Sequence, residues 1–341
     1  MSENILGKQG WRPMQFSNIF VTGGGGYVGA VLVPRLLKEG YRVTVLDLMI
    51  YGEYVLPTHP RLNVVKGDIR NQTLLEEIIP GHDALIHLAC ISNDPSFELN
   101  PDLGKSINMD AFRPLVEISR RLGVARFIYA SSSSVYGIKE EKDVHEGMSL
   151  EPLTDYSRYK ADCEQVLLEL EAPGFTGVTI RPATVCGYSP RQRLDVVVNI
   201  LTNLAYHKRE ITVFGGEQLR PNIHIADMVE AYLVLLMAPS DKIAGQIFNA
   251  GYENQPVVEL AQTVKEVVGN DVRLVTTPTD DNRSYHISSK RIREQLGFTA
   301  THSIRDAAAD LVQAFKNNLL PNSLEDERYF NIRRMQSLNL Q

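Results

Sequence analysis

The stretch Asn18-Ile19-Phe20-Val21-Thr22-Gly23-Gly24-Gly25-Gly26-Tyr27-Val28-Gly29-Ala30 decides the fold. An apolar run of strand length enters a glycine cluster. Beyond it Val28, Val31, Leu32, Val33, Leu36 and Leu37 recur at helical spacing. A strand–turn–helix unit of this kind aims bare backbone N–H groups and the positive end of a helix at a pyrophosphate. Glycine is needed where the turn is tight, where backbone nears phosphate, and where helix lies on strand. Two spacings fit. Gly24, Gly26 and Gly29 make G-x-G-x-x-G, while Gly23, Gly26 and Gly29 make G-x-x-G-x-x-G.

The next apolar run, Arg42-Val43-Thr44-Val45-Leu46, ends in Asp47. An acid about 20 residues past the glycines accepts hydrogen bonds from the adenosine ribose hydroxyls. It also repels a 2′-phosphate, and Leu48 and Met49 offer no arginine to bind one. NAD is therefore expected over NADP. The competing reading of Asp47 is a strand-end turn residue.

At 341 residues, 43% hydrophobic and 22% charged, the chain is long enough for two domains or one two-lobed unit with ample core. A net charge of −6 with interspersed signs gives no electrostatic case for nucleic acid or an anionic membrane. Cys90, Cys163 and Cys186 are too few and too scattered for a disulfide framework or a zinc site, so no metal is expected. They read as buried thiols in a reducing cytoplasm. No run fits a signal peptide or a membrane span.

Residues 1–17 read as an arm, with Trp11 and Pro13 available to dock. Leu62-Asn63-Val64-Val65 is a third strand, followed by Gly67-Asp68-Ile69. Asp68 either bonds an adenine amino group or caps a helix over Leu74–Ile79. Ala84-Leu85-Ile86-His87-Leu88-Ala89 is a buried strand in which His87 reads as a core histidine. A helix over 106–122 leads to the strand Phe127-Ile128-Tyr129-Ala130 and then to Ser131-Ser132-Ser133-Ser134-Val135-Tyr136-Gly137. Hydroxyls leaving a parallel strand at its carboxyl end stand where open α/β sheets bind ligands. In Asp155-Tyr156-Ser157-Arg158-Tyr159-Lys160, Tyr156 and Lys160 are four apart and share a helix face. An ammonium beside a phenol favours the phenolate, which equips Tyr156 as a base.

These residues resemble the extended short-chain dehydrogenase/reductases, in particular the NAD-dependent sugar-nucleotide epimerase/dehydratase family. The resemblance runs from about residue 18 to 316. It adds His87-Leu88-Ala89, Asn108, Val135-Tyr136-Gly137, Arg181-Pro182, the segment Arg220–Asp227, and Arg283-x-Tyr285. It implies a doubly wound, mostly parallel α/β sheet of seven strands with a smaller α/β substrate lobe. Residues 18–183 plus 217–250 would hold NAD, and 184–216 plus 251–320 the sugar nucleotide, leaving 321–341 as a tail of no assigned role.

By the same resemblance Tyr156 is the general base, Ser132 the partner hydroxyl, and Lys160 the ligand of the nicotinamide ribose that lowers the tyrosine pKa. Gly23, Gly26, Tyr27 and Val28 would meet the cofactor phosphates. Asp47, Asp68, Ile69, Leu88 and Ala89 would line the rest of the cofactor site, where Asn108 would support the backbone. Ser92, Ser133, Asn199, Arg220 and Arg283 would contact a nucleotide-diphosphate sugar, the two guanidiniums suiting its diphosphate. The expected reaction is epimerisation at C4 through a transient 4-keto sugar, with net C4 oxidoreduction as the alternative. Dehydratase or decarboxylase chemistry and a non-catalytic NAD sensor rank below these. A homodimer is expected through the helices around 106–122 and 155–170. Some positions depart from the family pattern. Ser133 and Ser134 replace the acid that 4,6-dehydratases carry after the catalytic hydroxyl. Ala183 replaces a common asparagine, and Cys186 a common tyrosine. The loop Ile91–Pro95 does not match the galactose epimerase pattern.

Overall fold

The computed structural model describes residues 16–141, 143–279, 284 and 286–340. In chain order its strands are β1 (Asn18–Thr22), β2 (Arg42–Asp47), β3 (Leu62–Lys66), β4 (Ala84–His87), β5 (Arg126–Ala130), β6 (Thr176–Pro182), β7 (Thr184–Cys186), β8 (Glu210–Phe214), β9 (Leu219–His224), β10 (Gln246–Ala250), β11 (Glu253–Pro256) and β12 (Arg273–Thr277). Seven of them form one sheet in the order β10-β6-β5-β4-β1-β2-β3. Every neighbouring pair in it is parallel. A parallel sheet is covered by helices on both faces, so its strands are apolar throughout rather than alternating. In β1, Ile19 and Val21 face one core cluster and Phe20 faces the other.

Strand order reverses at β1, where Val21 lies opposite Val45 of β2 on one side and Ile86 of β4 on the other. Chain crossovers leave to opposite faces there, which opens a crevice beyond the carboxyl ends of the strands. The glycine turn, the loop after β4 and the serine run after β5 all emerge into it.

A smaller lobe closes that crevice. It contains the parallel pair β8–β12 and the three-stranded sheet β11-β9-β7. Helices Val197–Lys208, Val257–Val268 and Ile304–Lys316 bury Val198, Leu201, Leu260 and Ala307 in its own core. The chain crosses back at His224. Helix Ile225–Met237 buries Met228, Tyr232 and Leu235 in the large core, and β10 adds to the sheet beside β6. Arg126 ends that helix: its buried Nη1 donates to the carbonyls of Leu235 (3.1 Å) and Leu236 (2.6 Å).

The C-terminal segment, which carries no legible period, folds onto the crevice. The Leu194 N–H donates to the Tyr329 carbonyl (2.9 Å). Helix Asn331–Leu338 follows, with Arg334 Nε donating to the Ile50 carbonyl (2.6 Å). Trp11 and Pro13 of the expected arm lie outside the described residues.

Candidate active site

Gly23 adopts φ +74°, and a Cβ on it would stand 2.5 Å from the Ala89 nitrogen; one on Gly29 would stand 2.5 Å from the Gly24 carbonyl oxygen. The first glycine therefore lets β1 turn against β4, and the third lets the helix lie on the turn. Helix Gly29–Lys38 starts with no side-chain cap and no acid in its first turn. The N–H groups of Ala30, Val31 and Leu32 already donate to the carbonyls of Gly26 and Val28, so what the turn offers an anion is the uncompensated positive end of the helix. Asp47 is a strand-end turn residue that also faces the cavity: it accepts from the backbone N–H of Met49 (2.7 Å) and from Gly25 N–H (2.9 Å). Burial raises its carboxyl above the usual range, against those two bonds and the charge of Arg191.

The donors, the acid and the shape of the turn fit NAD. Gly26, Tyr27, Val28, Ile69, Leu88 and Ala89 line one cavity of about 500 Å³ with them, within the usual size of ligand clefts. The Tyr27 hydroxyl points the other way. It donates to the Gly187 carbonyl (2.7 Å), and so ties the glycine turn to the smaller lobe. Asp68 lines the cavity, but the cap of the next helix is Asn71, whose side chain accepts from Leu74 N–H (3.1 Å). Burial works against the Asp68 charge, yet bonds from Arg70 hold its pKa low. Asn108 supports the backbone beside the site, as the resemblance implies, without itself lining the cavity. It sits in a π-turn (Ser106–Asp110), and its amide exchanges two bonds with the Ile91 backbone (2.8 and 2.9 Å). It fixes the loop after β4 rather than forming cavity wall.

Ser132, Tyr156 and Lys160 meet on one wall of the same cavity. Thr154 caps helix Asp155–Glu169, which places Tyr156 in its first turn, and the Ser132 side chain accepts from Ser134 N–H (3.2 Å) in the turn after β5. Lys160 Nζ donates to the Ala130 carbonyl (2.6 Å) and lies 5.9 Å from the centre of the Tyr156 ring. The expectation that Lys160 lowers the phenol pKa needs correction. Burial pushes Tyr156 well up, Cys90 and Asp94 push the same way, and the opposing influences are Arg193 and the Ser132 hydroxyl.

Glu164 continues the face of Tyr156 and Lys160 at the next four-residue step and anchors it. Arg181 of β6 holds it twice (2.9 and 2.6 Å), and Ser131 bonds it from β5. Arg181 also donates to Tyr136, whose hydroxyl donates to Asn249 of β10 (both 2.8 Å). One buried network thus fixes the helix against three strands. His87 is a core histidine, its Nδ1 2.7 Å from Thr22 Oγ1. Burial, then Lys160, lowers its pKa to about 3.

On the substrate side Ser92, Ser133 and Arg220 line the cavity. Asn199 does not. It lies inside helix Val197–Lys208, and its amide is spent on Gly187 N–H (3.0 Å), the Tyr27 hydroxyl (3.0 Å) and the Arg193 carbonyl (2.8 Å). Arg283 and Tyr285 lie outside the described residues. Among the cavity residues that the sequence reading missed, Arg191, Arg193 and Asn331 are polar and mutually connected. Arg191 stacks on Tyr51 (3.4 Å to the ring centre) and donates to Asn331 Oδ1 (2.5 Å). Arg193 pairs with Asp195 (2.8 Å), and Ser92 Oγ takes bonds from Arg193 (3.3 Å) and Asn331 (3.0 Å). The one available signal was the pair Arg191-x-Arg193 after Pro190; nothing local marked Asn331.

A family model described as the NAD dependent epimerase/dehydratase family matches residues 19–251. The chain belongs to that family. Relatives of this epimerase/dehydratase family member carry different reactions. UDP-glucuronic acid decarboxylase 1 of Arabidopsis thaliana is 30% identical over 89% of this chain and 70% of its own. A dTDP-glucose 4,6-dehydratase of Streptomyces niveus is 26% identical over 88% and 93%. Among solved structures, the UDP-glucose 4-epimerase of Thermotoga maritima with UDP-glucose matches with a TM-score of 0.81 at 26% identity, over 89% of this chain and 99% of that one. The family member is thus an NAD-dependent enzyme of the sugar-nucleotide class. No helix among its described residues is long and apolar enough to cross a membrane.

Proposed function

We propose that the chain epimerises a nucleotide-diphosphate sugar at C4. Tyr156 Oη takes the proton of the C4 hydroxyl, and Ser132 Oγ donates to the same oxygen as it becomes a ketone. Bound NAD supplies the acceptor of the C4 hydride and returns it. Lys160 orients the cofactor ribose, and Arg220 grips the diphosphate while the keto sugar turns over between the two transfers. Anchoring at the remote diphosphate puts binding energy where it does not hinder that rotation. Residues 18–183 with 225–250 serve the cofactor, and 184–224 with 251–320 close on the sugar; the expected boundary at 217 is moved because β9 pairs with β7 and β11. The functional unit is a cytoplasmic homodimer.

What carries this reading is that Ser132, Tyr156 and Lys160 line the same cavity as the glycine turn and Asp47. Ser133 and Ser134 stand where water elimination needs an acid, which favours epimerisation over dehydration. Tyr156→Phe should lower turnover at least about 10²-fold, the scale of a lost general base, while NAD stays bound. In the unaltered chain an epimerase leaves no lasting reduced-nicotinamide absorbance after substrate is added. Accumulating absorbance would favour the C4 oxidoreductase instead, and undiminished turnover in the phenylalanine variant would remove Tyr156 from the chemistry.

A further inference from the structure

The segment 187–193, which leaves β7, is fastened to the glycine turn through Tyr27. The Tyr27 hydroxyl donates to the Gly187 carbonyl (2.7 Å) and accepts from the Asn199 amide (3.0 Å). Ser189 Oγ donates to the Tyr27 carbonyl (2.8 Å). Within the segment, Asn199 also donates to the Arg193 carbonyl (2.8 Å) and the Gln192 amide to the Gly187 carbonyl (3.3 Å), so it is held as one piece.

The segment delivers two guanidiniums to the cavity wall, those of Arg191 and Arg193. Arg191 Nη2 donates to Asn331, and Arg193 donates through Nε to Asp195 and through Nη1 to Ser92. Each still keeps one buried nitrogen with no hydrogen-bond partner among the described residues: Nε of Arg191 and Nη2 of Arg193. A buried donor on a charged group is costly to leave unpaired. Two such donors, two residues apart in the wall of one cavity, call for an anion that the chain does not itself supply. Residues 187–195 carry these two cations against a single acid, Asp195.

A dinucleotide diphosphate has a negative charge on each phosphate, and the end of one helix supplies only about +0.5 of an elementary charge. The remaining cavity cations stand elsewhere. Lys160 Nζ is bonded to the Ala130 carbonyl at the end of β5 (2.6 Å), and Arg220 belongs to β9. We propose that Arg191 and Arg193 complete the diphosphate seat of NAD that the glycine turn begins. Guanidinium forks match the oxygens of a diphosphate. The electrostatics of the turn agree: burial and then Cys186 push the Tyr27 phenol up, while the Asn199 bond and the charges of Arg193 and Arg191 oppose that rise. Bound NAD then ties β7 and helix Val197–Lys208, the elements on either side of the two arginines, to the glycine turn. The clamp assumes nothing about the sugar reaction proposed above.

The test is a binding measurement. In the NADH-loaded full-length chain, displacement of the cofactor by ADP-ribose or by adenosine is followed by nicotinamide fluorescence. Arg193→Met should raise the Kd for ADP-ribose about tenfold to a hundredfold, the scale of a lost hydrogen bond to a charged group, and leave that for adenosine, which has no phosphate, unchanged. Arg191→Met, which also releases Tyr51 and Asn331, should raise the ADP-ribose Kd by a larger factor than the adenosine Kd. Arg193→Lys keeps the charge without the fork; it should show a smaller loss of the same selective kind, and it carries the test if the methionine variant does not fold. Equal losses for the two ligands in these variants would mean a disturbed site rather than a lost phosphate contact, and would overturn the clamp. An unchanged ADP-ribose Kd would overturn it too, including one accompanied by weaker binding of a nucleotide sugar, since the arginines would then serve the substrate. A chain that turned over no nucleotide sugar would refute the function proposed above and leave this test intact.

Discussion

His87 shows what a single buried side chain costs under acid conditions. Its folded pKa of about 3 lies below the ordinary histidine value of 6.5, so the unfolded chain binds the proton first. The stability contributed by a neutral His87 is complete above about pH 6.5 and is lost progressively as pH falls toward 3, at about 1.4 kcal/mol per pH unit. Urea unfolding at about pH 7 and pH 5 should show the unaltered chain losing about 2 kcal/mol more than His87→Gln over that interval. Parallel losses in the two proteins would show that His87 is not the group titrating. Residues of this kind were legible from local context, since an imidazole inside Ala84–Ala89 has little but core around it. Tyr156, Lys160, Ser132 and Asp47 were legible too, each fixed by spacing within one strand or helix turn. Arg193 was not: its reach to Ser92 spans 101 positions and follows from packing alone.

Helix Asp155–Glu169 keeps its register because the Arg181–Glu164 pair is buried between it and the sheet, with side chains 2% and 0% exposed. Arg181→Met leaves an uncompensated carboxylate in the core and should cost about 3–5 kcal/mol. The double change Arg181→Met with Glu164→Leu should recover most of that loss, because a well-packed apolar pair is close to neutral in such a place. Urea titration of the three proteins decides it, and a double variant as unstable as the single would contradict the pairing. A different element, helix Asn331–Leu338, brings Asn331 against Ser92, Arg191 and Tyr51 at once. Asn331→Ala should raise the rate of NADH release, followed by nicotinamide fluorescence, by about tenfold, since a buried partner is lost across the cofactor crevice. An unchanged rate would mean that the segment packs there without holding the cofactor. Nothing in 321–341 foretold this contact; its anchors are Ile50, Leu194 and Asp195, and only the folded chain brings them to it.

At the scale of the whole molecule the doubly wound sheet follows from the order of its apolar runs. The inner strands are too apolar to face water, while edge strand β3 exposes Asn63, Val64 and Lys66, and the connections are long enough to require helical crossovers. The crevice at the β1/β4 reversal follows in turn, as does the gathering of the glycine turn, Asp47 and the serine run at one edge. The smaller lobe was less legible, because β7, β9 and β11 are short and meet across distant parts of the chain. The chemistry of the assembled cleft is open to one direct measurement. Nucleotide-diphosphate glucose and its C4 epimer, each incubated with the purified chain in heavy water, can be followed by proton NMR. Interconversion of the two with hydrogen retained at C4 is the expected result, since the hydride leaves and returns without meeting solvent. Deuterium at C4, or a product lacking the C6 oxygen or C6 itself, would contradict C4 epimerisation by Tyr156 and Ser132.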